Sequence, residues 1–216
     1  MILASLGQAE DIDTHRAVER VINQCQQQLQ GKKPQAGIVF AGINFDHRLM
    51  LDEIHRSFPN IELVGCTTAG EFSSIYGFSD DSITLMVFYS DTIQITAGVG
   101  RLLSENHEAA VKSAVRQATE HLSKQASICL AFPDGQYGFE KSFEPIMKLL
   151  GRELGRKCPV FGGAAGTQWY ESQTFLQFYN NEVLKDSIPI MLFGGPLEYS
   201  FSIANSWKPV GKRVLV

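Results

Sequence analysis

The amino-acid sequence predicts an α/β (α+β) protein in which mixed β-sheets are flanked by helices. Segments with apolar residues at helical spacing alternate with short, continuously apolar segments of the kind that form buried strands. The order helix, strand, helix, strand, glycine-rich loop, hairpin then occurs twice along the chain. These observations predict two similar α-β-α-β-hairpin halves with pseudo-twofold symmetry, whose strands form one sheet or two packed sheets.

The first half opens with a helix. Apolar residues recur on one face from Ala17 to Leu29, Asp13 or Thr14 can cap the start, and residues 31–34 end it with glycine and proline. The remaining elements of this half are a strand at 37–41, a helix around Leu49 and Ile54, a strand at 61–64, a glycine-rich loop at 65–71, and a hairpin of strands 82–89 and 92–99.

The second half repeats this order with different residues. Alanines and valines recur at helical spacing over residues 105–122. The remaining elements are a strand at 127–132, a helix at 139–154, a glycine-rich loop at 162–166, a strand at 174–179, and a hairpin of strands 187–193 and 198–204.

Two sequence matches favour an internal duplication. The segment VGCTTAG at residues 64–70 lies over VFGGAAG at 160–166, and DSITLM at 81–86 lies over DSIPIM at 186–191. Convergence could produce one such match, but two in the same order indicate a repeat. We therefore expect one domain over residues 1–211, with halves at roughly 11–103 and 104–207.

Charge and hydropathy argue against two classes of partner. The 19 Lys and Arg residues face 23 Asp and Glu, and no basic cluster exceeds the pairs Lys32-Lys33 and Lys212-Arg213. A nucleic-acid surface or a polybasic membrane anchor needs concentrated basic charge. The longest apolar stretches, at 83–89 and 188–193, are far shorter than the ~20 residues that cross a bilayer. We predict no nucleic-acid binding and no membrane insertion.

The cysteines indicate the cellular compartment. Cys25, Cys66, Cys129 and Cys158 are scattered and form no C-x-x-C pair, which argues against a zinc knuckle or a dithiol redox motif. The first residues have neither the basic segment nor the long apolar segment of a secretion signal. We expect a reduced, cytoplasmic protein without a metal site.

The candidate ligand-binding loops follow the strands, because α/β proteins bind ligands beyond the carboxyl ends of their strands. Four such loops, at residues 42–46, 65–71, 133–135 and 162–166, are rich in glycine or polar residues. Glycine lets a ligand approach the backbone amides, and successive amides can bind an anion. The alternative is that these glycines only turn the chain and admit close packing of strands.

Polar side chains in these loops suggest an amino-acid-like ligand. Thr67 and Thr68 offer hydroxyl groups, while Glu71 or Asp134 could accept an ammonium group. The predicted ligand-binding residues are Gly65, Cys66, Thr67, Thr68, Glu71, Asp134, Gly162, Gly163, Ala164 and Trp207.

Two alternative functions depend on other residues. Cys66 or Thr67 could be the nucleophile of a hydrolase, but of the histidines only His47 stands in a strand-end loop and no G-x-S-x-G motif is present. A haem site would need an axial histidine beside an apolar face, for which His55 or His121 is a candidate. We expect no catalytic residue and no enzymatic activity.

Four motifs together resemble the N-terminal domain of the FIST family. They are LVGCTTAGEF at residues 63–72, FGGAAG at 161–166, DSI at 186–188 and WKPVG at 207–211. The second loop carries Thr167 where the family often has an acidic residue. Asn205 and Ser206 precede Trp207, where a glycine is common.

The resemblance implies a non-enzymatic, cytoplasmic sensory domain of bacterial signal transduction. Its partner would be a histidine kinase, a diguanylate cyclase or another cyclic-di-GMP enzyme, or a chemoreceptor, as in a two-component system. Small ligands such as amino acids have been proposed for the family, and some members look like haem-binding nitric oxide sensors. A C-terminal FIST domain usually follows WKPVG, so residues 212–216 are expected to begin a strand leading to it.

Overall fold

The computed structural model describes residues 1–155, 157–168 and 174–202, apart from the side chain of Phe139. Trp207 and the predicted strand at 212–216 lie outside the described residues. The helices and strands are, in chain order, β1 (Ile2–Ala9), α1 (Thr14–Leu29), β2 (Ala36–Ala41), α2 (His47–Ser57), β3 (Glu62–Thr67), β4 (Glu71–Ser73), β5 (Gly77–Ser79), β6 (Ile83–Ser90), β7 (Gln94–Arg101), α3 (His107–Glu120), β8 (Ala126–Ala131), α4 (Gly135–Glu140), α5 (Glu144–Leu154), β9 (Val160–Gly162), β10 (Gln177–Tyr179), β11 (Glu182–Leu184) and β12 (Ser187–Gly194).

The described strands form a six-stranded sheet, a four-stranded sheet and a two-stranded ribbon. The six-stranded sheet has the order β1-β6-β2-β3-β10-β11, the four-stranded sheet has the order β7-β12-β8-β9, and the ribbon pairs β4 with β5. In both larger sheets the first three strand pairs are antiparallel, antiparallel and parallel. This shared order supports the predicted repeat, while the pseudo-twofold relation between the halves stays a prediction.

The two larger sheets pack face to face between layers of helices, which confirms the predicted class of mixed sheets flanked by helices. Ile38 and Val64 of the six-stranded sheet share an apolar core with Ile95 and Met191 of the four-stranded sheet. Helices α1 and α2 pack on the outer face of the first sheet, and α3 and α5 on the outer face of the second. The protein therefore has α-β-β-α layering, and the strands form two packed sheets.

Capping residues explain where the helices begin. Asp13, Asp46 and Asn106 each accept a hydrogen bond from the backbone N–H three residues later, which satisfies a free donor of the first turn. The cap at Asp13 was one of the two expected from the sequence. The longest described helix, α1, has 16 residues. No helix in the described residues is both long and apolar enough to cross a membrane.

Neither predicted hairpin forms in the part of the chain that the structure describes. Strand β6 pairs with β1 and β2, whereas β7 joins the other sheet and pairs with β12. Strand β12 pairs with β7 and β8, and residues 198–202 form no strand. The predictions were wrong because strands buried on both faces show no periodicity that identifies their partner. Residues 203–204 lie outside the described residues.

Two other elements differ from the sequence prediction. Strand β1 was not expected, although it pairs with β6 along its whole length. The helix predicted at 139–154 is two helices, α4 and α5, separated at Lys141–Phe143. Pro145 lies in the first turn of α5, where its fixed φ angle favours a helix start.

Candidate functional site

Three strand-end loops meet at one edge of the two packed sheets. They follow β3, β8 and β9. The amide of Gly166 donates a hydrogen bond to the carbonyl oxygen of Thr67 at 2.7 Å, and the amide of Ala165 donates to the carbonyl oxygen of Pro133 at 2.9 Å. The first bond joins the glycine-rich loop of one sheet to that of the other, and the second joins the loops after β8 and β9 within the four-stranded sheet.

A cavity of about 690 Å³ lies between these loops and α4. Its lining includes Ala69 of the loop after β3, Ala164 and Thr167 of the loop after β9, and Gln136 of α4. Its volume is in the range of ~300–1,000 Å³ that is typical of small-molecule sites. The structure therefore brings the two predicted glycine-rich loops together around one space that can hold a small molecule.

The cavity lining is mainly apolar, with a few polar groups. Phe143 and Phe175 contribute aromatic rings. Gln136 donates a hydrogen bond to Glu140 across one turn of α4 at 2.9 Å. Glu140 is the one charged residue among the described lining residues, so the cavity wall carries negative charge.

A second, more polar cavity of about 330 Å³ adjoins the first. Both cavities are lined by Gln136, Glu140 and Phe175. The second also has Lys185 and Asp186 in its lining. Phe175 and one face of α4 therefore separate an apolar space from a charged one.

Close packing explains several of the loop glycines. A Cβ atom at Gly65 would lie 1.8 Å from the carbonyl oxygen of Val39, and one at Gly162 would lie 1.9 Å from that of Ala131. Gly162 also has a φ of 147°, which side chains rarely adopt. Gly163 differs, because a Cβ there would meet nothing within 4 Å. Gly65 and Gly162 thus have a packing role, whereas Gly163 has open space beside it.

Asp134 lies next to the cavity, and its carboxylate is fully engaged by the protein. One oxygen caps α4 by accepting from the amide of Gln136 at 2.8 Å. The other accepts from the side chain of Gln177 and from the amide of Asp186, both at 3.0 Å. Asp134 therefore joins α4 to β10 and to the start of β12, and its predicted contact with a ligand stays a prediction.

Glu71 and Thr68 contact each other within the first glycine-rich loop. Glu71 is 2% exposed, accepts a hydrogen bond from the Thr68 hydroxyl, and accepts from the amide and the hydroxyl of Ser82. Burial raises the pKa of the Glu71 carboxyl, hydrogen bonds from Thr68 and Ser82 oppose this, and the charge of Asp81 adds to it. Neither Glu71 nor Thr68 is in the cavity lining, so their roles as ligand contacts also stay predictions.

Cys66 and Thr67, the candidate nucleophiles, are both buried in the six-stranded sheet. Cys66 is 2% exposed, and burial raises the pKa of its thiol to about 12, which keeps it protonated near neutral pH. Thr67 is fully buried, and its hydroxyl oxygen accepts a hydrogen bond from the amide of Leu176 at 3.1 Å. Neither Cys66 nor Thr67 is among the described residues that line the cavity.

The two histidines that the sequence suggested for haem do not line the cavity. His55 lies on α2 and bonds the carbonyl oxygen of Leu51 at 3.0 Å, and His121 is exposed at the end of α3. No histidine occurs among the described residues that line the cavity, so this space does not fit a haem with a histidine axial ligand. The described residues also contain no group of three or more His, Cys, Asp or Glu side chains that could hold a metal ion.

Several cavity residues were missing from the sequence prediction. Gln136, Glu140 and Phe143 enter the site because α4 turns back over the glycine-rich loops. The signal that could have found α4 is the pair Asp134-Gly135 at a strand end, since aspartate is a preferred helix cap. Phe175 gives no such signal, because its position depends on the contact between the sheets.

Comparisons with known proteins identify one family. A family model described as FIST N domain matches residues 35–216. The uncharacterized protein MJ1623 of Methanocaldococcus jannaschii is 25% identical over 169 residues, which cover 74% of this chain and 31% of that protein. The chain therefore spans less than a third of the length of that relative.

A solved structure shows a distant similarity. Cyanuric acid hydrolase from A. caulinodans matches with a TM-score of 0.42 and 10% sequence identity, over 90% of this chain and 71% of that one. A similarity at this level carries no conclusion about activity.

Proposed function

This chain belongs to the FIST family, a family of small-ligand sensory domains, and from that premise we propose that its cavity of about 690 Å³ is the ligand site. Binding there would regulate a signalling partner. The observation that carries the proposal is the position of the cavity between Ala69 and Ala164, which belong to the glycine-rich loops of different sheets.

The position of the cavity suggests how binding becomes a signal. A ligand between Ala69 and Ala164 contacts loops from the two packed sheets at once. It would therefore bind one arrangement of the loops more tightly than another. This difference in binding free energy can shift the equilibrium between the arrangements, and through it the activity of a partner. The loops are joined by individual backbone hydrogen bonds, such as that from the amide of Gly166 to the carbonyl oxygen of Thr67, which a small movement can lengthen.

The lining favours a small molecule with an apolar body and no excess negative charge. Phe143 and Phe175 can pack against hydrocarbon or an aromatic ring. Glu140 is the charged group in the described lining, and it would repel an anion. The amides of Ala165 and Gly166 already donate to backbone carbonyls, so they are not available as an anion nest. We therefore propose an amino acid or similar small metabolite, bound chiefly through its side chain and its amine.

The partner is proposed from the family. A histidine kinase, a diguanylate cyclase or another cyclic-di-GMP enzyme, or a chemoreceptor would receive the signal, together with a C-terminal FIST domain of the same protein. A cytoplasmic location and the absence of catalysis belong to the same proposal.

The test is a binding measurement with a cavity-filling variant. The proteinogenic amino acids and their decarboxylated amines are titrated into the protein by calorimetry. Ala164 is exposed and lines the cavity, so Ala164→Phe adds a ring to the cavity without replacing a core residue. We expect this variant to bind any hit at least about tenfold more weakly, a loss of ~1.4 kcal/mol.

The matched control makes the same substitution elsewhere. Ala109 is exposed on α3, away from the cavity lining, and Ala109→Phe should bind the hit as the unchanged protein does. Equal affinities for all three proteins would place the ligand outside this cavity and overturn the proposal.

A further inference from the structure

Buried oxygen atoms without a hydrogen-bond partner gather at one end of the six-stranded sheet. In the described part of the chain, six buried side-chain atoms lack a partner, and five of them are oxygens. These oxygens belong to Gln8, Ser79, Asp81, Thr84 and Gln168. Gln8 pairs with Thr84 across β1 and β6, and Asp81 is three residues before Thr84. A buried acceptor without a donor is costly, so such a group needs an explanation.

Two of these oxygens converge at Gly42, which follows β2. A Cβ atom at Gly42 would lie 2.1 Å from Oδ1 of Asp81 and 3.4 Å from Oε1 of Gln168. Both oxygens are closed to solvent and accept no hydrogen bond from the described residues. The other carboxylate oxygen of Asp81 accepts from the side chain of Asn44 at 3.1 Å, so only one side of the carboxylate is satisfied.

The same region carries negative charge without a positive partner. Glu71 lies close enough to Asp81 for the charge of Asp81 to help raise its pKa, after the larger effect of burial. No basic group is among the charges that act on Glu71. None of the ion pairs between described residues includes Asp81 or Glu71. What the cluster lacks is therefore a positively charged donor.

The chain connects the cluster to the loops that bound the cavity. Gln168 follows Thr167, which lines the cavity. Gly42 follows Ala41, whose carbonyl oxygen accepts from the amide of Thr68 in the first glycine-rich loop. Gln168 and Gly42 are thus each next in sequence to a residue that lines the cavity or bonds to one of its loops.

We propose that Asp81 and Gln168 form a subsite for a primary ammonium group. An ammonium group has one positive charge and three N–H donors, and this pair offers one carboxylate charge and two neighbouring oxygens without partners, Oδ1 of Asp81 and Oε1 of Gln168. The inference rests on the proposed function, because it assigns the amine of the cavity ligand. Since both facing oxygens are closed to solvent, the amine enters only when the side chain of Gln168 moves away from Gly42.

The test compares cations by thermal unfolding at matched ionic strength. Methylammonium chloride supplies an ammonium group with three donors, tetramethylammonium chloride supplies the same charge with none, and sodium chloride supplies a bare hard cation. We expect methylammonium to raise the Tm by at least about 2 °C more than either control, because only the folded protein offers the site. If sodium raised the Tm as much as methylammonium and tetramethylammonium did not, the site would bind a metal ion and not an amine. Equal Tm values in all three salts would overturn the subsite.

Two variants identify the residues. In Asp81→Asn the negative charge is lost and the new amide can donate to Gln168, so the methylammonium response should disappear while the Tm in sodium chloride is kept or raised. In Gly42→Ala the added Cβ would lie 2.1 Å from Oδ1 of Asp81 and displace this oxygen, which should abolish the same response. Gly151→Ala in α5, whose Cβ would likewise meet nothing within 4 Å, is the control and should respond as the unchanged protein does. A response that survives both Asp81→Asn and Gly42→Ala contradicts the assignment.

The subsite and the proposed function can fail separately. If methylammonium raises the Tm but Ala164→Phe binds the metabolite as the unchanged protein does, the subsite stands and the cavity is not the ligand site. If Ala164→Phe weakens metabolite binding and methylammonium gives no response, the cavity stands as the ligand site and the ammonium subsite is wrong.

Discussion

The carboxylate of Glu71 accepts hydrogen bonds from both the amide and the hydroxyl of Ser82, at 2.9 and 2.8 Å. Glu71 opens the ribbon strand β4, and Ser82 immediately precedes β6. This pair therefore ties the ribbon, and the glycine-rich loop before it, to the six-stranded sheet. The residue that the sequence suggested as an ammonium acceptor holds its own loop in place.

Replacing Glu71 should destabilise the protein. Glu71→Ala leaves the amide and hydroxyl of Ser82 buried without an acceptor, and each such group costs about 1–3 kcal/mol. We expect the free energy of unfolding in urea to fall by about 2–4 kcal/mol. Glu120→Ala, on the exposed end of α3, is the control and should change it by less than about 0.5 kcal/mol. An equal, small effect of both substitutions would contradict the bracing role of Glu71.

The stability of the protein should depend on pH through Glu71. Burial raises its folded pKa above the ordinary value of 4.5, so between these two values the folded protein binds more protons than the unfolded chain. The free energy of unfolding therefore falls as pH rises through this window. Glu71→Gln does not titrate, so its stability relative to the unchanged protein should increase as pH rises above 4.5 and then level off. Urea titrations of both proteins at a series of pH values measure this difference, and a difference that is flat across the window would be inconsistent with a raised pKa.

The pKa values of two histidines should be shifted in opposite directions. His47 is buried, which lowers the pKa of its imidazole below 6.5, so its contribution to stability is complete above 6.5 and is lost as pH falls. His15 bonds the carboxylate of Glu53 at 2.6 Å, which raises its pKa. NMR titration of the imidazole resonances should place His47 below and His15 above the ordinary value. In Glu53→Gln only His15 should move back, and a similar shift of His47 would contradict this account.

Alanine at two of the predicted site glycines should have very different effects. Gly65→Ala forces a Cβ against the carbonyl oxygen of Val39 in the neighbouring strand, and backbone cannot move aside cheaply. We expect it to cost about 2–3 kcal/mol or more. Gly163→Ala meets no atom and should change the free energy of unfolding by less than about 0.5 kcal/mol. Denaturant titration of both variants checks the contrast, and comparable losses would show that the two loops are packed alike.

The sequence predicted the parts of the fold that depend on local signals. The apolar face from Ala17 to Leu29 and the cap at Asp13 specify α1 without reference to the rest of the chain. Strand β1 gives no such signal, because ILASLGQA does not alternate and its partner β6 is far away in sequence. Gly7 is an example of this dependence on tertiary contacts. A Cβ atom at Gly7 would collide with the backbone of Val21 in α1, so the glycine is explained by the packing of α1 on β1 and not by its neighbours in sequence.

The location of the candidate site was predictable, but its side chains were not. The two glycine-rich loops at strand ends indicated the edge of the sheets where the cavity lies, and Ala164 is in the cavity lining. Glu71, Asp134 and Thr67 were chosen for their polar groups, yet each is buried and bonded within the protein. Sequence alone cannot distinguish a polar side chain that faces a ligand from one that satisfies a neighbouring backbone. Trp207 lies outside the described residues, so its role stays a prediction.

A crystal structure of the protein with the hit from the metabolite titration would test the central claim most directly. We predict ligand density between Ala69 and Ala164, with the amine directed towards Asp81. Density at another cavity, such as the one near Lys33 and Asn60 at the end of α2, with the space between the glycine-rich loops unchanged, would contradict the account.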